Sequence, residues 1–332
     1  MKIGILSFAH HHGEAYVSNL RRIEGVELLG AADDEPARGQ QIAQQNGATY
    51  FTSYEALLDA KPEGVIICTE NNRHRPLVEM AASRGVHVLC EKPIATTLED
   101  ARAIVDACHL AGVHLMTAFP LRFSAPLLEI KARLDNGDFG DVYCFNATNQ
   151  GELPTKYRLW FVDPELAGGG AIMDHTVHLV DIMRWFLGSE VETMYARSNR
   201  IFHADEVDVE TGALEMLTFK NGVFATIDAS WSRPQYWPTW GGLGFEMVTE
   251  RGAVIVDAFR QNLNIYRHDW QRSNLAYWGS DMNHAMLSDF ATGIRENRPP
   301  RVTGLDGLRA VEATLAAYES VQTGQTVQVK SI

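Results

Sequence analysis

The sequence predicts an α/β protein in two parts: a doubly wound parallel sheet over residues 1–120, then an α+β domain with a large, mostly antiparallel open sheet over residues 121–332. Three observations carry that prediction. Up to about residue 120, short apolar runs alternate with stretches of helical periodicity, the pattern of βα units. Those runs are apolar at nearly every position, as strands covered on both faces must be. Beyond Pro120 the period falls to two, and hairpin signals separate the runs.

Residues 2–7 form the first expected strand, and a turn through Phe8-Ala9-His10-His11-His12-Gly13 leads to Ala15, Tyr16, Leu20 and Ile23 at helical spacing. Residues 26–32 are a second strand closing on Asp33-Asp34, and Glu35-Pro36 opens a helix, since proline suits a first helical turn. The alternation continues with a helix at 54–60, a strand at 64–68, a helix at 76–84, a strand at 86–90, a helix at 97–111 and a strand at 113–118. The second part opens with a helix at 125–134. Period-two runs follow at 143–149, 215–219, 223–227, 244–248 and 254–257, two of the turns being Lys220-Asn221-Gly222 and Glu250-Arg251-Gly252. Helices at 282–295 and 305–320, split by Pro299-Pro300, and a strand at 327–329 close the chain.

A formal net charge of −13 repels nucleic-acid phosphates and anionic membranes, so neither is expected as a partner. The opening residues lack the layout of a signal peptide and no apolar run could span a bilayer, which predicts a cytoplasmic protein. Cys68, Cys90, Cys108 and Cys144 are far apart, form no CxxC pair, and are expected to be reduced.

In a doubly wound sheet, ligands bind beyond the carboxyl ends of the strands. After the first strand, the G-x-G-x-x-G spacing holds Ser7, Ala9 and His12, a degenerate phosphate loop. Its three adjacent histidines rarely converge on one ion, and no nearby Cys or carboxylate completes a set. No metal is expected; an imidazole or backbone N–H near a pyrophosphate fits better. Asp33 is placed to accept ribose hydroxyls, and Asp34 adds charge against a 2′-phosphate, which favours NAD over NADP; the bland alternative is a pair of capping residues ahead of Pro36. Lys92, in Glu91-Lys92-Pro93, ends a central strand, where burial and a nearby nicotinamide charge favour its uncharged form and proton exchange.

The run from Gly168-Gly169-Gly170 to Asp181 predicts a helix with Asp174, His178 and Asp181 at i, i+4 and i+7 on one face. The competing reading is a core histidine with a first-turn carboxylate. Aromatics between Trp231 and Gly242 could stack on a sugar, but an interface or core cover is favoured.

Glu91-Lys92-Pro93, the three glycines and Asp174-x-x-x-His178 together resemble the Gfo/Idh/MocA oxidoreductases over almost the whole chain. Thr69-Glu70-Asn71-x-x-His74, Arg122-Phe123, Trp160 with Asp163-Pro164, and Tyr318-Glu319-Ser320 with Gly324 also match, although that family usually has proline where Glu70 stands. The resemblance implies an N-terminal Rossmann domain and hydride transfer between NAD(P) and a sugar, polyol or related hydroxy or keto compound. It implies Lys92 as the catalytic lysine, His178 as acid/base or relay, and Asp174 as a substrate-orienting partner. The implied cofactor site comprises Ser7, Phe8, Ala9, His10, Asp33, Thr69, Asn71, His74, Glu91, Lys92 and Arg122. The implied substrate site comprises Lys92, Arg122, Trp160, Asp174 and His178. A homo-oligomer, dimer or tetramer, formed through the open sheet is also implied. The rival functions are a non-catalytic NAD-binding sensor and a glycoside-cleaving enzyme with tightly held NAD.

Overall fold

The computed structural model describes residues 1–237, 239, 241–267, 272–277 and 279–330. The first part runs β1 (Lys2–Leu6), α1 (His12–Leu20), β2 (Glu27–Ala32), α2 (Pro36–Gln45), β3 (Tyr50–Phe51), α3 (Tyr54–Asp59), β4 (Gly64–Ile67), α4 (His74–Ala82), β5 (His87–Cys90), α5 (Leu98–Ala111) and β6 (Leu115–Thr117). Its sheet has the order β3-β2-β1-β4-β5-β6, and every pair is parallel. All six carboxyl ends therefore share one edge. The continuous apolar runs are explained by two-sided burial: Ile3 and Ile5 pack into one core, while Leu6, Val65 and Ile67 pack into the other. Each such fully buried side chain contributes roughly 1.5–3 kcal/mol.

The second part runs α6 (Ala125–Asp135), β7 (Val142–Glu152), α7 (Pro164–Ala167), α8 (Val177–Leu187), β8 (Val191–Asn199), β9 (Gly212–Phe219), β10 (Phe224–Arg233), β11 (Gly241–Thr249) and β12 (Gly252–Asp257). Then come β13 (Asn262–Arg267), β14 (Arg272–Tyr277), α9 (Met282–Glu296), α10 (Gly304–Thr323) and β15 (Val327–Gln328). The large sheet has the order β12-β11-β7-β10-β9-β8-β15. It is antiparallel except where β10 returns beside β7 in parallel. The two expected hairpin turns join β9 to β10 and β11 to β12. Strands β3 and β8, and the separate β13–β14 hairpin, were not expected from the sequence. One face of the large sheet packs on α8 and α10; the other exposes Leu214, Met216, Phe224 and Ile255. Among the described residues no helix is long and apolar enough to cross a membrane, and all four cysteines are free.

Candidate active site

At the shared strand edge, the first loop keeps the shape of a phosphate-binding turn without its glycines. Ser7 adopts a φ of +73°, a conformation that favours glycine. Its Oγ accepts the Ala9 N–H at 3.0 Å and steadies the turn. Asp33 reaches across from the end of β2 to accept the Phe8 N–H at 2.8 Å. The Asp33-Asp34 pair has arginine neighbours: Arg38 binds both oxygens of Asp33 at 2.6 and 3.0 Å, and Arg73 binds Asp34 at 2.9 Å. Thr69 Oγ1, Asn71 Oδ1 and His11 Nδ1 are buried without hydrogen-bond partners. Unspent polar groups beside a left-handed turn and an acidic strand end fit a dinucleotide.

Glycine brings the chain into the site through a π turn rather than a regular helix start. Gly168 and Gly169 have φ of +83° and +151°, and a Cβ on Gly169 would overlap the Tyr318 hydroxyl. That hydroxyl accepts the Gly170 and Met173 N–H groups, each at 3.2 Å, and donates to Glu210 at 2.7 Å. Glu210 Oε1 also accepts the N–H groups of Gly170 at 2.9 Å and Ile172 at 3.1 Å. Together they cap the wide turn Ile172–Thr176, which runs into α8. Such turns inside helices are frequent at functional sites.

Asp174, from the π turn, and His178, from the first turn of α8, line a cavity of about 290 Å³ with Lys92, Asn149, Tyr157, Phe161 and the three histidines of the first loop. Lys92, two residues past β5, places Nζ 2.7 Å from Asp174 Oδ1. Asp174 Oδ2 lies 3.0 Å from His175 Nε2 and accepts the Trp231 indole N–H at 3.2 Å. Burial pushes the Asp174 carboxyl up, but Lys92 and His175 outweigh it and hold the group well below the usual carboxylate range. Burial and the Lys92 charge hold His178 well below its ordinary value, so it is neutral at pH 7. Its ring stands edge-on to Phe119, with centroids 5.7 Å apart.

Several expected residues stand elsewhere. Asp181 does not share the cavity face: the π turn breaks the α-helical register, and Asp181 is fully buried against Arg122 at 2.6 and 2.7 Å. Arg122, expected at both cofactor and substrate, spends its guanidinium there and on Asp306 at 3.0 Å, and does not line the cavity. Trp160 is turned the same way: its indole N–H donates to the Ala9 carbonyl at 2.9 Å, and its stacking neighbour Phe161 faces the cavity instead. His74 is fully buried under the loop, with Nδ1 3.2 Å from the Ile94 carbonyl. Of the aromatic stretch, Trp231 is core beneath Asp174, and Tyr236 is exposed. Pro238 and Trp240 lie outside the described residues.

Glu91 supplies the carboxylate that sequence reading did not find near the histidines. It is fully buried, accepts the Tyr16 hydroxyl at 2.6 Å, contacts His12 Nδ1 at 3.1 Å and lies 3.9 Å from His10 Nε2. The ligand atoms of His10, His12 and Glu91 lie within 4.8 Å of one another. However, His10 Nδ1 accepts the His12 N–H at 3.3 Å, which leaves the proton on Nε2, facing Glu91. Within the set, the hydrogen bonds are His12 N–H to His10 Nδ1 and His12 Nδ1 with Glu91. Asn149, absent from the expected site, is almost fully buried at an inward position of β7, with Oδ1 unpartnered. Its period-two position on a run ending at 149 was the available signal.

Residues 3–119 match a family profile described as an oxidoreductase family with an NAD-binding Rossmann fold, and residues 127–255 match the GFO/IDH/MocA C-terminal domain. D-xylose 1-dehydrogenase (NADP(+)) 2 of Haloferax volcanii is 30% identical, over 99% of this chain and 100% of that protein. Myo-inositol 2-dehydrogenase of Thermotoga maritima is 26% identical, over 100% and 99%. Among solved structures, GenD2 from gentamicin A biosynthesis, in complex with NAD, superposes with a TM-score of 0.88 at 22% identity, covering 100% of this chain and 97% of that one. That last likeness is one of fold.

Proposed function

Since the chain belongs to the Gfo/Idh/MocA family of NAD-binding oxidoreductases, we propose that it moves hydride between a nicotinamide cofactor and a hydroxyl-bearing carbon of a sugar or polyol. The observation that carries this is one cavity, at the carboxyl edge of the first sheet, lined by the Lys92–Asp174 ion pair and a neutral His178. Relatives named as xylose and inositol dehydrogenases support the substrate class.

The loop from Ser7 to His12, with Asp33, Thr69 and Asn71, would hold the dinucleotide, within a cofactor domain of residues 1–120. A nicotinamide cofactor held there would supply the hydride-transfer chemistry. His178, with a lone pair free at neutral pH, would take the hydroxyl proton in the oxidation direction. Lys92 Nζ would hydrogen-bond to the developing alkoxide, and in reduction would polarise the carbonyl oxygen by the same hydrogen bond while protonated His178 returns the proton. Asp174 keeps Nζ aimed, and Asn149 Oδ1 is free to accept a neighbouring hydroxyl.

NAD is the preferred cofactor in this reading, because Asp33, Asp34, Glu35 and Glu70 outnumber the two arginines among them, Arg38 and Arg73. The exposed apolar face of the second sheet, within residues 121–332, would be covered by a second copy of the chain, and free cysteines suit the cytoplasm. One screen tests the function: inositols, aldoses, other polyols and their keto forms with NAD(H) and NADP(H), followed by reduced-nicotinamide absorbance. No turnover with any pair rejects it, equal efficiency with NADP(H) rejects the cofactor preference, and a monomer by light scattering rejects the dimer.

A further inference from the structure

We propose that His175 is a positioning residue, which pins Asp174 in the orientation that presents Oδ1 to Lys92 and thereby sets where the Lys92 ammonium stands in the cavity. The proposal rests on the oxidoreductase reading above. His175 is fully buried and does not line the cavity, so it acts through a neighbour.

Its ring is oriented from behind. Nδ1 lies 2.5 Å from the Asn149 carbonyl oxygen. A carbonyl oxygen only accepts, so Nδ1 carries a proton and the ring is fixed with Nε2 toward Asp174. Nε2 then meets Asp174 Oδ2 at 3.0 Å. The proposed positioning requires that Nε2 share a proton with this carboxylate oxygen. The same oxygen accepts the Trp231 indole N–H, and the other is left to Lys92 Nζ at 2.7 Å.

The two oxygens of Asp174 thus have separate tasks: Oδ2 is anchored to the scaffold, and Oδ1 faces the chemistry. Without the imidazole, the indole bond at 3.2 Å is what still ties Oδ2 to the scaffold among the described residues, and Lys92, also held by the Asp174 carbonyl at 3.3 Å, loses a fixed partner at Oδ1. Asn149 connects the two sides, because its backbone carbonyl orients His175 while its side chain lines the cavity. A supporting group one residue removed from the reacting atoms commonly affects rate by about 10- to 100-fold.

Two substitutions separate positioning from packing. His175→Gln can place an amide N–H near the site of Nε2 and reach Asp174; His175→Asn can donate toward the Asn149 carbonyl but falls short of Asp174. On a substrate returned by the screen, His175→Asn is expected to lower kcat about 10- to 100-fold with KM changed less than about threefold, while His175→Gln recovers to within about fivefold of wild type. NADH affinity, titrated by nucleotide fluorescence, should stay within about twofold in both. Equal losses in the two variants, or no loss in either, overturn the proposal. A second measurement needs neither turnover nor a variant of His175: ¹⁵N–¹H correlation of the wild-type ring should show a slowly exchanging Nε2 proton that shifts in Asp174→Asn and not in His178→Asn. An Nε2 without a proton overturns the proposal even where the screen finds no substrate, an outcome that would by itself reject only the oxidoreductase reading.

Discussion

Asp174 and Asp181 stand seven residues apart on one stretch of chain, the first partly buried and the second fully, and each paired with a cation. Asp181 grips Arg122 with both oxygens, and Arg122 is shared with Asp306, which also takes Arg184 at 3.3 Å. Burial raises the Asp181 carboxyl despite Arg122, and Asp306 adds repulsion. Asp174 is shifted the opposite way, because Lys92 and His175 both face it and outweigh its burial. The first cluster is closed upon itself, whereas the second opens on a cavity beside an imidazole with a free lone pair. A buried ion pair becomes chemistry when one partner still has a direction in which to act.

The comparison is broken or sharpened most by Lys92→Met. Turnover should fall by roughly 10²- to 10⁴-fold while NADH binding, titrated by fluorescence, stays within a few-fold. Near wild-type turnover would remove Lys92 from the chemistry and favour a sensor. Arg122→Met is the mirror case: with Asp181 left uncompensated, urea unfolding should register a loss of about 3–5 kcal/mol, while the folded fraction keeps turnover within about tenfold. A large activity loss at unchanged stability would return Arg122 to the active site.

Glu215 offers a buried carboxyl with no cation among the described residues. Its Oε1 accepts the Thr176 hydroxyl at 2.6 Å, and burial pushes it up to about 8 from the model-compound 4.5. The folded state then keeps a proton that the unfolded chain has released, so this group's contribution to stability declines as pH rises from about 4.5 to 8, by an amount on the order of a few kcal/mol. Glu215→Gln should flatten that decline when melting temperatures are compared at pH 5 and pH 8; identical slopes would mean Glu215 is ionised in the fold. The smallest effect is expected from Ser7→Gly, which should stabilise by about 1 kcal/mol in urea by relieving a left-handed serine, with cofactor affinity retained. A loss of stability would mean that the Ser7 Oγ bond to Ala9 outweighs the strain.

The convergence of Lys92, Asp174 and His178 on one cavity was legible because strand ends and helical spacing are local properties of sequence, and the βα alternation likewise announced the parallel sheet. The Glu91 contacts to His10, His12 and Tyr16 were not, since they join residues about 80 positions apart and depend on which strands become neighbours. Asp181 was misplaced because α-helical periodicity cannot foresee a π turn, whose cause lies in Glu210 and Tyr318. Strand β3 was too short to leave a pattern, and β8, with Glu192, Thr193 and Arg197 between its apolar residues, reads weakly as a strand.

Tyr318 has a temporal consequence. Its hydroxyl fills the space that only a glycine at 169 leaves open, and with Glu210 it holds the turn that carries Asp174. A ribosome that has released everything up to α9 has therefore produced the lysine, the histidine, Glu210 and every strand of the two large sheets except β15, but not Tyr318, which completes the cap on the turn. During synthesis, the turn that carries Asp174 gains its full cap only when the last long helix emerges and docks, so a nascent chain stalled before that point is structurally far advanced and still lacks that support.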